Sequence, residues 1–372
     1  MKTTTTTIPI TPPLLLLLLL TSNHKLNALS TTSPGSGFGK TNAPLSYNVD
    51  TSSSTASLLS FLNSNNIKTA GKTAIGVSKT GQGGLGLYAT KSFKKDEIIC
   101  QIPSDFALAL SNPEFGGNDA PTLAHCGRNF LSFYEDNEQA RVMWDFYLGT
   151  LPEGTTSPRF EATPDFFPRD EIDALEFPRL VAHATERQRQ VDELAGEEGI
   201  DVDRLRFATW IAGSRSIEVA LSEEPVDNEP LAEGNSVVTK NTKSVRVLVP
   251  YLDMINHSSN HANAEQFIID PEKDDAWFAV RAKRRIPEGK EITVGYGRGR
   301  HSSDELLLNY GFVPAENKID SLMLRKGGEG VYGSVNEWST TLEEDLKMLE
   351  GEDGLTENMR KVLELRIQLK KS

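Results

Sequence analysis

The chain has 372 residues, 38% of them apolar, and a formal net charge of −13. This is the composition of a globular protein with one large domain or two smaller ones. A surface this acidic repels phosphate, so we expect no nucleic-acid partner, and a protein with basic patches is the more natural one. Two cysteines, Cys100 and Cys126, are too few for a disulfide framework or a cysteine zinc cluster, and we expect both thiols to be buried.

The amino terminus has the pattern of a targeting sequence. Seven consecutive leucines occupy 14–20, a run too short to span a bilayer. The chain then stays rich in Ser, Thr, Asn and Gly, and its first acidic residue is Asp50, as in a transit peptide. Residues 1–27 and 28–56 therefore resemble a bipartite plastid presequence. The alternative is a secretory signal followed by a linker, and we expect no stable membrane association once the presequence is removed.

Three short strands are predicted at the start of the folded region. Apolar residues alternate at 75–77, 85–89 and 98–102, as in half-buried strands. A glycine-rich turn at 81–84 connects the first two strands, and a basic loop at 91–95 connects the second to the third.

A helical region, at about 104–221, interrupts the strands. Its periodicity predicts three helices, at 128–148, 169–194 and 203–221. Pro178 should break or kink the second of them. The stretch 222–244 has few apolar residues, and we interpret it as an exposed, partly disordered loop.

Strand character then returns. Four further strands are predicted, at 245–249, 266–269, 277–282 and 291–294. After them the pattern indicates a hairpin and two short helices. Strands on both sides of a helical insert indicate an α+β fold rather than a doubly wound sheet. We expect one domain over 57–312 and a short, mainly helical C-terminal region over 313–372.

Three segments carry residues suited to chemistry. The first is the turn and strand 83–89, where glycines let a ligand approach the backbone closely, although the segment is neither a dinucleotide fingerprint nor a P-loop. The second contains Asn256 and His257, which by themselves also fit a capped turn with a core histidine. A metal site is not expected, because His261 is the only other ligand nearby.

The third segment places Tyr296 at the end of a strand and Tyr310 at the end of a short helix. Each tyrosine by itself could be a half-buried residue with a satisfied hydroxyl. Together and in this order, the three segments resemble the SET-domain methyltransferases, in particular the subfamily of the Rubisco large-subunit lysine methyltransferase and the actin histidine methyltransferase. The resemblance runs from about residue 72 to residue 313 and is strongest at 253–258 and at Tyr296 with 305–312.

This resemblance implies a β-rich SET fold, in which the segment around Asn256 threads a loop to form a pseudoknot. It implies an enzyme that uses S-adenosyl-L-methionine to methylate a lysine side chain of a non-histone protein. Two alternatives stay open: transfer to a histidine nitrogen, and a SET-like module that binds a peptide without turnover. Relatives carry a large helical substrate-binding domain after the catalytic one, so we expect the 60 residues after Phe312 to be a reduced or truncated form of it.

The resemblance also implies roles for individual residues. Tyr296 matches the catalytic tyrosine and Tyr310 a wall of the substrate channel, while Arg215 would lie near the cofactor carboxylate or the substrate. Contacts with the cofactor are further implied for Gly83, Gly84, Leu85, Asp253, Asn256, His257 and Ser302.

Overall fold

A computed structural model describes residues 47–65, 67, 71–79, 84–111, 121–221, 243–271, 276–327, 338–351 and 354–372. Residues 1–46 of the predicted presequence, Gly83, and residues 222–242 of the predicted loop lie outside this part of the chain.

The helices of the described residues are α1 (Ser53–Ser64), α2 (Leu123–Asp136), α3 (Glu138–Leu148), α4 (Arg169–Asp173), α5 (Pro178–Glu198), α6 (Val202–Arg215), α7 (Ser303–Tyr310), α8 (Lys318–Gly327), α9 (Leu342–Gly351) and α10 (Glu357–Lys371). The strands are β1 (Thr73–Val77), β2 (Leu85–Ala89), β3 (Ile98–Pro103), β4 (Leu108–Ala109), β5 (Ser216–Leu221), β6 (Lys243–Leu248), β7 (Asn256–His257), β8 (Ala264–Ile269), β9 (Trp277–Ala282) and β10 (Thr293–Val294).

These strands form four small sheets. β1 pairs with β2, β9 lies between β3 and β8, and β6 lies between β4 and β5, all antiparallel, whereas β7 and β10 form a parallel pair. Strands on either side of a helical region confirm the predicted α+β class. The parallel pair matters most for the site, because it joins Asn256 to Thr293 and His257 to Val294 across more than thirty residues of chain.

The helical region differs from the prediction at its ends. The helix predicted over 203–221 stops at Arg215, and 216–221 form β5 instead, because every residue of that segment pairs with a residue of β6. The helix predicted over 128–148 is two helices that meet at Asn137. The helix predicted over 169–194 is interrupted before Pro178, as predicted, and forms α4 and α5. Pro178 occupies the first turn of α5, where its missing N–H costs no hydrogen bond.

Folded structure also begins earlier than predicted. The Tyr47 ring stacks on the Tyr88 ring at 4.2 Å, and the backbone N–H of Asp50 donates to the Ile75 carbonyl at 2.9 Å. These contacts fix the segment before α1 against β1, although its composition is that of a linker. At the other end, the predicted hairpin does not occur in the described part of 313–372, which forms α8, α9 and α10.

The C-terminal helix is buried on most of its surface. Val362, Leu365 and Leu369 of α10 pack with Leu180 of α5 and Leu307 of α7 in a second hydrophobic core, distinct from the larger core beneath the sheets. The C-terminal region therefore shares a core with the elements that precede it.

Both cysteines are buried and unpaired, as predicted. Burial raises the pKa of Cys100 to about 12, so this thiol stays protonated and unreactive. Among the described residues, no helix combines the length and the apolar character that crossing a membrane requires.

Candidate active site

A cleft opens where the start of β2, the carboxyl end of α6, β7 and the end of α7 meet. It is lined by Gly84, Leu85, Arg159, Glu161, Trp210, Ser214, Arg215, Asp253, Asn256, His257, Tyr296, Tyr310 and Phe312. The fold thus brings together the residues predicted for the site, apart from Gly83, which lies outside the described residues, and Ser302.

One side of the cleft is made of backbone and neutral side chains, and we call Gly84, Leu85, Asn256 and His257 the glycine side. The Asn256 amide donates to the Leu85 carbonyl at 3.1 Å and to Oε1 of Glu291 at 2.9 Å. A side chain at Gly86 would collide with both partners, because its Cβ would lie 2.5 Å from the Glu291 carboxylate and 2.7 Å from the Asn256 amide. Glycine is therefore required at this position.

Glu291 holds the glycine side together, although it was not among the residues predicted for the site. Its carboxylate accepts hydrogen bonds from the Ser78 hydroxyl at 2.6 Å and from the Lys79 backbone N–H at 3.2 Å, besides the one from Asn256. One carboxylate thus joins β1, β2 and β7. An acidic residue at the start of an apolar strand was the only signal for it in the sequence.

His257 is a buried neutral imidazole. Its Nδ1 accepts from the backbone N–H of Tyr296 at 2.9 Å, so its proton is on Nε2, which lies 2.8 Å from the Ser259 hydroxyl. Burial, and secondarily the charge of His301, lowers the pKa of His257 to about 4. This histidine therefore positions Tyr296 and carries no charge near neutral pH.

Tyr296 lines the cleft, two residues after β10 ends at Val294. Its hydroxyl donates to the Ile255 carbonyl at 3.0 Å, and its ring packs 4.4 Å from that of Tyr310. Burial raises its pKa well above the usual value, so the group stays a phenol. Because its proton is directed to Ile255, the hydroxyl can serve a bound group only as a hydrogen-bond acceptor.

Another part of the cleft lining contains buried or mostly buried charges, and we call Glu161, Arg215 and Asp253 the ion-pair side. Oδ2 of Asp253 accepts from Arg215 at 3.1 Å and from the Tyr147 hydroxyl at 2.6 Å. Burial raises the pKa of Asp253, and Arg215 opposes that shift. The Arg215 guanidinium also lies over the Trp210 ring, 5.8 Å from its centroid, and this contact fixes its plane.

Glu161 is linked to the C-terminal helix. Its carboxylate lies 2.9 Å from Nζ of Lys361 in α10, whose side chain is only 2% exposed. Its backbone carbonyl accepts from the Trp210 indole at 3.0 Å. Burial raises the pKa of Glu161, and Lys361 opposes this. Lys361, far along the chain from Glu161, therefore controls the charge of that carboxylate in the cleft. Periodicity in the sequence does not predict such a pair.

Ser302 lies outside the cleft. It is 1% exposed at the start of α7, and its backbone N–H donates to the Glu305 carboxylate at 3.0 Å. Tyr310 ends the same helix, and Gly311 follows it with a φ of 79°. Any side chain at Gly311 would meet the Glu161 carbonyl at 2.5 Å, so this glycine lets the end of α7 approach the ion-pair side.

The cleft suits a polar ligand with both cationic and anionic groups. Nε of Arg215 and Oδ1 of Asp253 are buried and have no hydrogen-bond partner among the described residues. Gly84 borders open space, since its Cβ would meet no atom within 4 Å. The open backbone at Gly84 and the Arg215 guanidinium, which is 23% exposed, fit the polar amino-acid part of S-adenosyl-L-methionine. No cluster of metal-ligating side chains occurs in the described residues.

Comparison with known proteins shows which family the chain resembles. The family model of the SET domain matches residues 84–297. A mouse (Mus musculus) protein named SET domain-containing protein 4 is 25% identical over 262 residues, which cover 63% of this chain and 53% of that protein. The chloroplastic ribulose-1,5 bisphosphate carboxylase/oxygenase large subunit N-methyltransferase of pea (Pisum sativum) is 23% identical over 265 residues, 63% of this chain and 47% of the pea protein. The chain spans about half the length of the curated relatives it matches.

Solved structures resemble the fold over most of the chain. The SET domain of LSMT bound to lysine and AdoHcy superposes with a TM-score of 0.55 at 16% identity, covering 85% of this chain and 88% of the other. Rubisco LSMT bound to AdoMet gives a TM-score of 0.56 at 15% identity, covering 86% and 89%. At these identities the likeness establishes the fold alone.

Proposed function

This chain belongs to the SET-domain family, and from that membership we propose that it is an S-adenosyl-L-methionine-dependent protein methyltransferase that acts on a lysine side chain of a non-histone protein. The observation that carries the proposal is the placement of Tyr296. Its hydroxyl is fixed by the Ile255 carbonyl and its backbone by His257, in a cleft that has a glycine side and an ion-pair side.

S-adenosyl-L-methionine would supply a methyl group activated by its positive sulfonium. Gly84 and Leu85 would line it through their backbone, Asn256 and His257 would border it, and Arg215, held by Asp253, would lie near its carboxylate. The resemblance also implies a cofactor contact for Ser302, but this residue lies away from the cleft, at the start of α7.

The chain's own residues have to present an uncharged amine in a fixed orientation. A free lysine amine has a pKa of about 10.4 and is charged at neutral pH. The apolar rings of Tyr296, Tyr310 and Phe312 desolvate it, which lowers that pKa and favours the neutral, nucleophilic form. Alignment of the reacting atoms in such a channel can supply about 7–11 kcal/mol of the barrier.

The Tyr296 hydroxyl would orient the amine by accepting one of its N–H bonds. The phenol keeps its own proton, which it donates to the Ile255 carbonyl, and its pKa is raised, so it positions the amine and does not remove a proton from it. The proton leaves before transfer, through the open end of the cleft to water.

Cofactor binding is the first test. Calorimetry on the protein should show binding of S-adenosyl-L-methionine and of its demethylated product. Absence of binding at millimolar ligand would overturn the enzyme proposal.

The change Tyr296→Phe tests the central residue. It keeps the ring but deletes the hydroxyl. The net contribution of the lost hydrogen bond to the free energy of unfolding is about 0.5–1.5 kcal/mol. We expect cofactor affinity to hold and single-turnover methylation of a substrate identified in a labelled extract to fall at least tenfold, the signature of an interaction made in the transition state. An unchanged rate in the folded variant would remove Tyr296 from the mechanism. Mass spectrometry of the product decides between lysine and histidine.

The plastid is the proposed compartment. The leucine run and the stretch without acidic residues before Asp50 support it, and so does the word chloroplastic in the names of the pea and tobacco (Nicotiana tabacum) relatives. A fluorescent fusion of the first 60 residues should enter the plastid of a suitable alga, whereas secretion would favour a simple signal. We propose 57–312 as the catalytic unit, with 313–372 as the region that packs on it through α10.

A further inference from the structure

A basic surface lies on the catalytic unit, outside the cleft. The segment 89–97, between β2 and β3, runs antiparallel to the segment 282–290, between β9 and β10. Phe93 and Ile286 exchange both backbone hydrogen bonds, at 2.8 and 3.0 Å, and the Ala89 N–H donates to the Lys290 carbonyl at 2.9 Å. Two loops distant in sequence therefore form one continuous surface, which we call the basic patch.

The basic patch has the opposite charge to the rest of the chain. Lys72 joins it through a backbone hydrogen bond between its carbonyl and Thr90. It contains eight basic residues: Lys72, Lys91, Lys94, Lys95, Lys283, Arg284, Arg285 and Lys290. With Asp96, Glu97 and Glu288 its net charge is +5, in a chain whose total is −13.

These cations are exposed, apart from the half-buried Lys72, and most of them have no ion-pair partner among the described residues. Lys91 pairs with Glu97 at 2.9 Å, and Arg284 donates to the His261 carbonyl at 2.6 Å. The remaining six form no ion pair with another described residue. Like charges placed this closely destabilise the folded chain through mutual repulsion, and nothing in the packing of the two loops requires them.

We propose that the basic patch is a docking site for a short acidic segment of the protein substrate, an inference that rests on the proposed methyltransferase function. β2 links the two sites, since Leu85 lines the cleft and Ala89 reaches the patch. At about 3.3 Å per residue, these positions are roughly 13 Å apart. An acidic segment at that distance from the target residue would dock while the target enters the cleft.

The charge distribution favours a short acidic segment over a long polyanion. Outside the patch the chain has a net charge of −18, so the flanking phosphates of a nucleic acid, or the surface of an anionic membrane, would be repelled by neighbouring regions. A segment of a few residues meets only the patch. Its contacts with the patch would be electrostatic and open to solvent. Salt should therefore weaken docking, because the Debye length is about 10 Å at 0.1 M ionic strength.

Binding of a labelled octaglutamate peptide, measured by fluorescence anisotropy at low salt, tests the inference on the full chain without cofactor or turnover. The patch variant carries Lys94→Glu, Lys95→Glu and Lys283→Glu. The control variant has the same net charge of −19 but places its three changes elsewhere on the exposed surface, as Lys318→Glu, Lys347→Glu and Lys371→Glu.

We expect the patch variant to bind octaglutamate at least tenfold more weakly than the wild type and the control variant to stay within about threefold. Equal weakening in both variants, or in neither, would overturn the proposal. So would tighter binding of an eight-nucleotide DNA strand, or of phosphatidylcholine vesicles with 30% phosphatidylglycerol, than of octaglutamate.

Kinetics on an identified protein substrate give the second readout. The patch variant should raise KM about tenfold and leave kcat unchanged, because charges at the edge of an interface act on encounter rather than on chemistry. An unchanged KM would restrict the patch to a role outside substrate capture and so overturn the inference. Failure of the proposed function itself would appear separately, as loss of cofactor binding in the wild type.

Discussion

The two sides of the cleft are held by different forces. The glycine side is fixed by the Glu291 carboxylate, which accepts from Asn256 and lies against Gly86, and by His257, which accepts from the Tyr296 N–H. The ion-pair side is fixed by buried charges, Arg215 with Asp253 and Glu161 with Lys361. A backbone-lined wall specifies shape, whereas a charged wall depends on each ion keeping its partner. The glycine side should therefore be the more sensitive to added volume, and the ion-pair side the more sensitive to the loss of one ion.

The largest effect is expected from Asp253→Ala. Asp253 is fully buried and Arg215 is 23% exposed, so the change leaves a mostly buried cation without its anion. Breaking such a pair costs about 3–5 kcal/mol, and chemical denaturation should show a loss at the lower end of this range, since part of Arg215 reaches water.

Tyr147→Phe is the matched control, because it removes the other hydrogen bond to the same carboxylate oxygen and leaves the ion pair in place. Its loss should stay near 1–2 kcal/mol, the range for one bond to a charged acceptor. Equal losses in the two variants would show that the stability at Asp253 comes from the Tyr147 hydrogen bond and not from the ion pair.

Acid should weaken the glycine side through His257. Its folded pKa of about 4 is below the ordinary 6.5, so the unfolded chain binds the proton more readily. The stability from keeping His257 neutral is complete above pH 6.5 and is lost as the pH falls towards 4, by about 3 kcal/mol at most.

His257→Asn should flatten this part of the stability curve, whereas His261→Asn, at an exposed position, should leave it as in the wild type. Unfolding free energies measured between pH 4 and pH 7 give the comparison. Parallel curves for the wild type and His257→Asn would refute the assignment of the pH dependence to this ring.

Lys361→Met tests the ion-pair side from the C-terminal helix. The change keeps the apolar length of the side chain but leaves Glu161 without its cation. Because Glu161 is 21% exposed and can take up a proton, we expect a loss of about 1–3 kcal/mol at neutral pH.

The stability of the Lys361→Met variant should depend on pH with the opposite sign to the contribution of His257. Burial raises the pKa of Glu161, more so without Lys361, so the variant should approach wild-type stability below pH 4.5 and lose it as the pH rises. The double change Glu161→Gln with Lys361→Met should restore stability at neutral pH. If it does not, the loss comes from packing of α10 rather than from charge.

The smallest effect on stability, with a large effect on binding, is expected at Gly84. Gly84→Ala adds a Cβ that meets no protein atom within 4 Å, so the melting temperature should stay near that of the wild type while the methyl group enters the cleft. Cofactor affinity should fall at least tenfold.

Gly86→Ala is the comparison, because its Cβ collides with Glu291 and Asn256. Overpacking of this kind costs about 1–3 kcal/mol, so affinity and melting temperature should fall together. If Gly84→Ala bound the cofactor normally, the glycine side would not line its site.

The sequence by itself determined the α+β class, the strands β2 and β9, the break at Pro178 and the presence of Tyr296, Tyr310, Asn256, His257 and Arg215 in one cleft. These features follow from local periodicity, from the fixed φ of proline, and from short segments whose order resembles a known family. Each of these signals is contained within a few neighbouring residues.

Only the tertiary structure decided the rest. The switch from α6 to β5 at Ser216 depends on pairing with β6, and the contacts of Glu291 and of the Glu161–Lys361 pair join residues up to 213 positions apart. The position of Ser302 outside the cleft was decided in the same way, by the packing of α7. Hydrogen bonds and ion pairs between distant segments form only once the chain has brought those segments together, and no local pattern of residues records which partner each group will meet.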